Sequence, residues 1–358
     1  MKIALLNLPY DNNYGGNLQR YALMKILQDM GHDVTHINLR FHWQLPWYKM
    51  PYVYVKRIIK KLFIDHHACI FLEKNLNERY EQLCKVTDSF YERYIKHTDA
   101  IFDLKQLSEL NGFDAFIVGS DQVWRKSIAN KYLKSMFLDF IPKRQKILRI
   151  AYGVSLGTDK NELSERETLH LATLYKLFNA VSVREESALP LFDSYGWVSP
   201  KASAVLDPTL LLDKADYIEL INNSTTPPSK GNLFCYILDE TKEKWDKIRT
   251  TEQELGLKAF NISLKDGSSV SIEQWLRSFN DAEYVITDSY HGLLFSIIFR
   301  KPFYLFRNQN RGNARFDSVL DTFGFSADAD NSEFDWNQLS NQLDDKRNQS
   351  LAFLSKVL

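Results

Sequence analysis

The feature that most constrains this chain is an alternation of short apolar runs and amphipathic helical stretches, which runs to about residue 220 and restarts after residue 232. Residues 3–8 (IALLNL) read as a buried strand. Leu18, Ala22, Leu23, Ile26, Leu27 and Met30 then recur at helical spacing until Gly31, and Val34–Leu39 is a strand again. Strand, Asn/Gly-rich loop, helix and strand make a βαβ unit, whose expected geometry is a right-handed parallel pair. Residues 113–119, 147–155 and 180–183 add strands, with a helical pattern at 162–179. The stretch 221–232 (INNSTTPPSKGN) suits neither helix nor strand and reads as a linker. Beyond it, strands at 233–238, 258–262, 284–287 and 303–306 alternate with helices at 242–255, 272–279 and 291–299. The expectation is an α/β chain of two Rossmann-like, doubly wound domains, 1–220 and 233–335, facing a cleft. Trp336, Leu339, Leu343, Leu351 and Leu354 place a helix at 336–358 that covers a core or crosses back to the first domain.

Composition excludes several alternatives. Lys plus Arg and Asp plus Glu each number 45, so there is no global basic field for nucleic acid, and any charged partner is met locally. Hydrophobic residues at 44% and charged residues at 25% exclude a disordered or fibrous chain. Cys69, Cys84 and Cys235 are odd in number and widely spaced, which argues against a disulfide framework and fits a reducing, cytoplasmic setting. His66, His67 and Cys69 lack the spacing of a metal site, and no metal is expected. No apolar run approaches the length of a membrane span.

In doubly wound sheets ligands bind beyond the carboxyl ends of the strands, which directs attention to four loops. In YDNNYGGN (10–17), Gly15 and Gly16 let backbone N–H groups approach an anion at a helix start, or simply turn the chain. In GSDQVW (119–124), the polar side chains of Ser120, Asp121 and Gln122 lie beside Trp124. That combination suits a hydroxyl-rich ligand, or alternatively Asp121 caps a helix and Trp124 sits in the core. Arg184, between strand and helix, can fork onto an anion or pair with Glu185 or Glu186. In TDSYHG (287–292), His291 lies in a first helical turn, where the positive end of the dipole favours neutral imidazole and a general base; a packed or capping histidine is the alternative. Arg300, Lys301, Arg307, Arg311 and Arg315 make the following edge basic.

A further segment, 41–64, contains no acidic residue, while Trp43, Trp47, Tyr48, Tyr52 and Tyr54 intersperse with Lys49, Lys56, Arg57, Lys60 and Lys61. Val55, Ile58, Ile59, Leu62 and Phe63 share one helical face. A core-packed amphipathic helix is the commoner explanation of such a pattern, and a helix lying on an anionic membrane surface is the other.

NYGGNLQRYAL, FDAFIVGSDQVW, AYGVSLG, VSVREESALPLF, VLDPTLLL and YVITDSYHGLLFSIIFRKPF, followed by Arg315 and Phe316, together resemble the polysaccharide pyruvyl transferase family over about residues 1–325. The resemblance implies a GT-B-like pair of domains and transfer of a pyruvyl group from phosphoenolpyruvate to sugar hydroxyls as a cyclic ketal, in cell-surface polysaccharide synthesis. It implies no cofactor. The acceptor is a sugar, free or lipid-linked, which would suit a peripheral position at the inner face of a membrane. On that basis His291 transfers protons, and Asp121 orients acceptor hydroxyls or carries a second proton. Donor contacts fall to Arg184, Arg315, Ser289, Gly292, Gly15, Gly16 and Asn17, and acceptor contacts to Tyr14, Ser120, Gln122 and Trp124. Many relatives carry arginine where this chain has Ser289, so Arg315 or Arg307 is expected to supply that guanidinium. Arg125 stands where the family often has asparagine. Two other classes fit the same outline: a GT-B glycosyltransferase using a nucleotide sugar, and a non-catalytic sugar-binding protein.

Overall fold

In a computed structural model, which describes residues 1–262, 269–307, 313–331 and 334–358, ten strands form two all-parallel sheets. The chain begins with β1 (Lys2–Leu6), α1 (Tyr14–Asp29) and β2 (Asp33–His36). An excursion then carries α2 (Met50–Phe63) and α3 (Leu72–Tyr94). It is followed by β3 (Ala115–Val118), α4 (Lys126–Ala129), β4 (Leu148–Val154), α5 (Glu165–Tyr175), β5 (Ala180–Val183), α6 (Ala188–Ser194) and β6 (Ser203–Ala204). These six strands pair in the order β2-β1-β3-β4-β5-β6.

After α7 (Lys214–Asn222) the second half runs β7 (Leu233–Tyr236), α8 (Lys242–Leu255), β8 (Ala259–Asn261), α9 (Ile272–Asp281), β9 (Tyr284–Thr287), α10 (Tyr290–Phe299) and β10 (Phe303–Leu305). Its sheet has the order β10-β9-β7-β8. The helices α11 (Asn313–Phe323) and α12 (Trp336–Val357) follow. Each sheet therefore reverses winding once, between β1 and β3 and between β7 and β9, and loops leaving strands at such a point open a crevice.

Local sequence explains the elements that set up this crevice. Asn13 caps α1 by accepting from Gly16 N–H at 3.1 Å, and Ser289 caps α10 by accepting from Gly292 N–H at 3.3 Å. Helix α10, YHGLLFSIIF, is buried on every side, as a helix apolar all round must be. The two halves share a continuous core, in which Tyr14 stacks on Trp275 at 5.4 Å and Trp275 meets Phe295 at 5.0 Å. Helix α12 returns to the first half. Ser350 Oγ accepts from Leu206 N–H at 3.0 Å, and Arg347 donates to Leu210 O and Leu212 O at 2.6 and 2.7 Å.

Helix α3 is an element that the sequence reading passes over. Its polar surface hides the periodicity, because only Cys84, Thr87, Phe90 and Tyr91 in its second half are fully buried.

Candidate active site

The loops at the two reversal points face one another and line a cavity of about 440 Å³, within the range of small-ligand sites. The first half supplies Asn13, Gly15, Asp121, Gln122 and Arg125. The second supplies Asp239, Ser289, Tyr290 and His291, and α11 adds Arg315 and Phe316.

His291 enters at the first turn of α10 and packs against the backbone of Gly15, where a β-carbon would overlap the imidazole. Gly15 is thus a close-approach glycine across the cleft. Gly292, which follows His291, is needed for a similar reason, since a β-carbon there would run into Thr287 Oγ1. Nε2 of His291 is buried and has no hydrogen-bond partner among the described residues. Burial, which disfavours imidazolium, lowers the pKa of His291 to about 4 even though Asp207 and Asp121 oppose the shift. The ring is therefore neutral near pH 7 and able to accept a proton.

Asp121 sits at the end of β3 with φ +80°, a conformation that costs a non-glycine residue roughly 1–2 kcal/mol. Its carbonyl is fixed by Val123 N–H at 2.7 Å and Ser155 N–H at 2.9 Å, so the surrounding backbone imposes the strain. The carboxylate lies 3.2 Å from Arg184 Nη2 and 3.5 Å from Arg315 Nη1. Burial alone would raise its pKa, but Arg184 and then Arg315 override that effect and hold it at about 2.

Arg184 is wedged beneath this layer. Its Nη1 pairs with Asp207 at 2.7 Å, and its guanidinium lies 4.5 Å from the centre of the Tyr290 ring, with Arg315 5.1 Å from that ring. Asp207 also accepts from Gln19 Nε2 at 2.5 Å and from Thr209. Two guanidinium groups, two carboxylates and an intervening phenol ring thus form one buried, charge-balanced stack. The partners of Arg184 are Asp207 and Asp121, whereas the adjacent Glu185 turns to Ser155 Oγ and the N–H groups of Leu156 and Gly157.

Several sequence expectations need correction. Trp124 is 1% exposed, stacks on Phe137 at 4.2 Å and donates to Met136 O, so it is core and offers no face to an acceptor. Tyr14 is buried between the halves, where its hydroxyl bonds both Val270 O at 2.8 Å and Val270 N–H at 2.9 Å. Ser120 is buried on Gly153 O and Gln19. Asn17 braces its own loop through Asp11 O and Asn13 O, and Gly16 spends its N–H on the Asn13 cap. Arg184, with both terminal nitrogens on carboxylates, supports the cavity from below, and Arg315 lies on the cavity wall. Arg307 pairs with Asp317 and Asp328 on the surface, and Arg311 lies outside the described residues.

Gln122 keeps its place on the cavity wall, its Oε1 held by Arg125 at 2.8 Å. Asp207, Tyr290 and Gln19 carry the charged stack, though nothing in the local sequence marks them. Asp207 precedes a proline and reads as an ordinary turn cap, and no local signal points to an arginine 23 positions away.

Two parallel sheets joined across a crevice, with Asp121 and His291 on loops at facing reversal points and Arg315 of α11 beside them, define a GT-B-like two-domain protein. The chain belongs to the polysaccharide pyruvyl transferase family, a transferase family whose model matches residues 13–310. Among curated proteins none matches it in sequence. Similar solved structures include a Listeria monocytogenes protein assigned as a UDP-N-acetylglucosamine 2-epimerase, at 8% identity and TM-score 0.51, with 100% of this chain and 91% of that one covered. Others are the UDP-GlcNAc 2-epimerase of Methanocaldococcus jannaschii (10% identity, TM-score 0.47, 96% and 92% covered) and Arabidopsis thaliana UGT89C1 complexed with quercetin (10%, 0.44, 99% and 92%). At these identities the likeness concerns the fold.

Proposed function

We propose that the protein transfers the pyruvyl group of phosphoenolpyruvate to two hydroxyls of one sugar, free or lipid-linked, as a cyclic ketal. The observation that carries this reading is the meeting of neutral His291, Arg315 and Asp121 in one cavity at the N-terminus of α10. An enol phosphate bearing a carboxylate needs a guanidinium and a helix N-terminus to hold it, and its reaction needs a base.

In the reaction, the first sugar hydroxyl adds to the enol carbon. The new C–O bond forms as His291 Nε2 receives the hydroxyl proton, and the resulting imidazolium returns that proton to the methylene, which becomes methyl. The C–O bond to phosphate then breaks. The second hydroxyl adds to the same carbon, and its proton leaves with the phosphate. One phosphoenolpyruvate and one diol thus give one ketal and one inorganic phosphate. Arg315 and the N–H groups at the start of α10 stabilise the departing phosphate, and Asp121 with Gln122 orients the acceptor.

Thermal unfolding with added ligands is the test, because a ligand that binds the native state raises Tm. Phosphoenolpyruvate is expected to protect where UDP does not, and phosphate release should require a sugar acceptor. Protection by UDP alone would instead favour a nucleotide-sugar glycosyltransferase, and acceptor binding without phosphate release a sugar-binding protein.

A further inference from the structure

Helix α2 is amphipathic and faces the wrong way for a core helix. None of its residues is buried. Tyr52, Val55, Ile59, Leu62 and Phe63 recur at helical spacing and point outward, with Phe63 79% and Tyr52 71% exposed. The opposite face holds the helix to the protein. Arg57 forms a two-pronged pair with Glu73 of α3 at 2.6 and 2.7 Å and donates to Ile70 O, while Tyr54 meets Phe71 at 5.5 Å. Of the two readings of this segment, the core-packed one is thereby excluded. Anchored through a charge pair, the helix displays its apolar side to solvent.

We propose that this outward face of α2, with Trp47 at its entry, is a docking surface for an anionic lipid membrane. Charge selects the occupant. Residues 41–64 contain no Asp or Glu, and Lys49, Lys56, Lys60 and Lys61 are exposed around the apolar stripe. Lys60 has one weak contact, to the exposed Asp65 at 3.8 Å. Lysines beside exposed apolar and aromatic side chains suit a helix that lies in the interface plane, apolar face down, with ammonium groups among anionic headgroups. A second copy of the chain suits the face less well. A twofold contact through α2 would set the same lysines against one another, without an acid in the segment to offset them.

The placement also has geometric sense. The excursion bearing α2 leaves at the carboxyl end of β2, the end of the sheet at which the cavity opens. Helix α3 is rooted on the loop between β1 and α1, through Thr87 Oγ1 to Tyr10 hydroxyl at 2.8 Å and Tyr80 hydroxyl to Tyr10 O at 2.5 Å. Among the described residues no helix is long and apolar enough to cross a membrane, so the contact is with a surface.

Co-sedimentation of the full chain with vesicles tests the proposal, using phosphatidylglycerol in phosphatidylcholine against phosphatidylcholine alone, at low and high salt. The wild type is expected to pellet with the anionic vesicles at low salt and to be released by high salt. Lys56→Gln/Lys60→Gln/Lys61→Gln, which spares the Arg57–Glu73 anchor, should weaken partitioning about a hundredfold. Ile59→Ser/Phe63→Ser should weaken it at least tenfold. Both variants change exposed side chains and should keep the wild-type melting temperature. A wild type that stays in the supernatant with anionic vesicles overturns the proposal. So does pelleting that neither variant reduces, or a dimer in analytical ultracentrifugation that Ile59→Ser/Phe63→Ser dissolves while vesicle binding is absent. These readouts need no donor or acceptor and stand apart from the proposed reaction.

Discussion

The imidazole of His291 rests directly on the backbone of Gly15, so closely that position 15 has no room for a β-carbon. The contact joins the N-terminus of α1 in one half to the N-terminus of α10 in the other.

Gly15→Ala is therefore expected to push the His291 ring from its place or to wedge the halves apart. A displacement near 1 Å at a catalytic group can cost about 10²-fold in rate. Steady-state kinetics should show kcat falling by at least tenfold, whereas Gly16→Ala, whose added β-carbon would meet the Asn13 side chain only at ordinary contact distance, should stay within a few-fold of wild type.

His291→Asn should lower kcat by about 10²-fold or more with phosphoenolpyruvate affinity nearly intact, as for a group acting on the transition state. The pH dependence carries a second signature. Since burial lowers the pKa of His291 to about 4 from 6.5, the acid limb it imposes on kcat/KM should lie near pH 4 in the free enzyme, well below that of an ordinary histidine. As pH falls from 6.5 to 4 the unfolded chain binds a proton that the native ring refuses. Stability present above pH 6.5 should therefore drop across that window by on the order of 3 kcal/mol. Melting curves of wild type and His291→Asn should diverge there; parallel curves would remove the buried neutral ring from the account.

Arg315→Lys keeps the charge but loses the planar fork, and should raise the donor KM by roughly tenfold or more if the group clamps an anion. Arg307→Ala, whose side chain is half exposed beside Asp317 and Asp328, is the control and should leave the donor KM within twofold. Equal effects of the two substitutions would show that Arg315 does not meet the donor.

Removing one partner of a buried ion pair is costly because the other charge is left behind, typically about 3–5 kcal/mol. Arg184→Met should therefore destabilise the fold by an amount in that range, measured by urea unfolding. Asp207→Asn should do so less severely, since Asp121 still faces Arg184. An Arg184→Met protein as stable as wild type but unable to bind phosphoenolpyruvate would instead assign Arg184 to direct donor contact.

Much of the architecture is legible in the chain, because each half repeats a strand, loop and helix whose apolar periodicity is local. The parallel sheets, the loops at strand ends and His291 in the first turn of α10 follow from that periodicity and from caps such as Ser289. The site's charge network is a different matter. Arg184 with Asp207, Asp207 with Gln19, and Asp121 with Arg315 are pairs separated by 23, 188 and 194 positions. Which arginine meets which carboxylate depends on how two sheets and α11 pack, and near neighbours such as Glu185 are drawn to other partners. Trp124 reads equally as a sugar platform or as core until the aromatic cluster around Phe137 and Trp197 encloses it. Helix α2 shows the same limit from the other side. Its amphipathic pattern is local and readable, but a pattern states only that two faces differ. That Arg57 turns inward to Glu73 while the apolar stripe and the neighbouring lysines stay exposed was decided by tertiary packing alone, since α3 offers a carboxylate where a core would offer apolar surface.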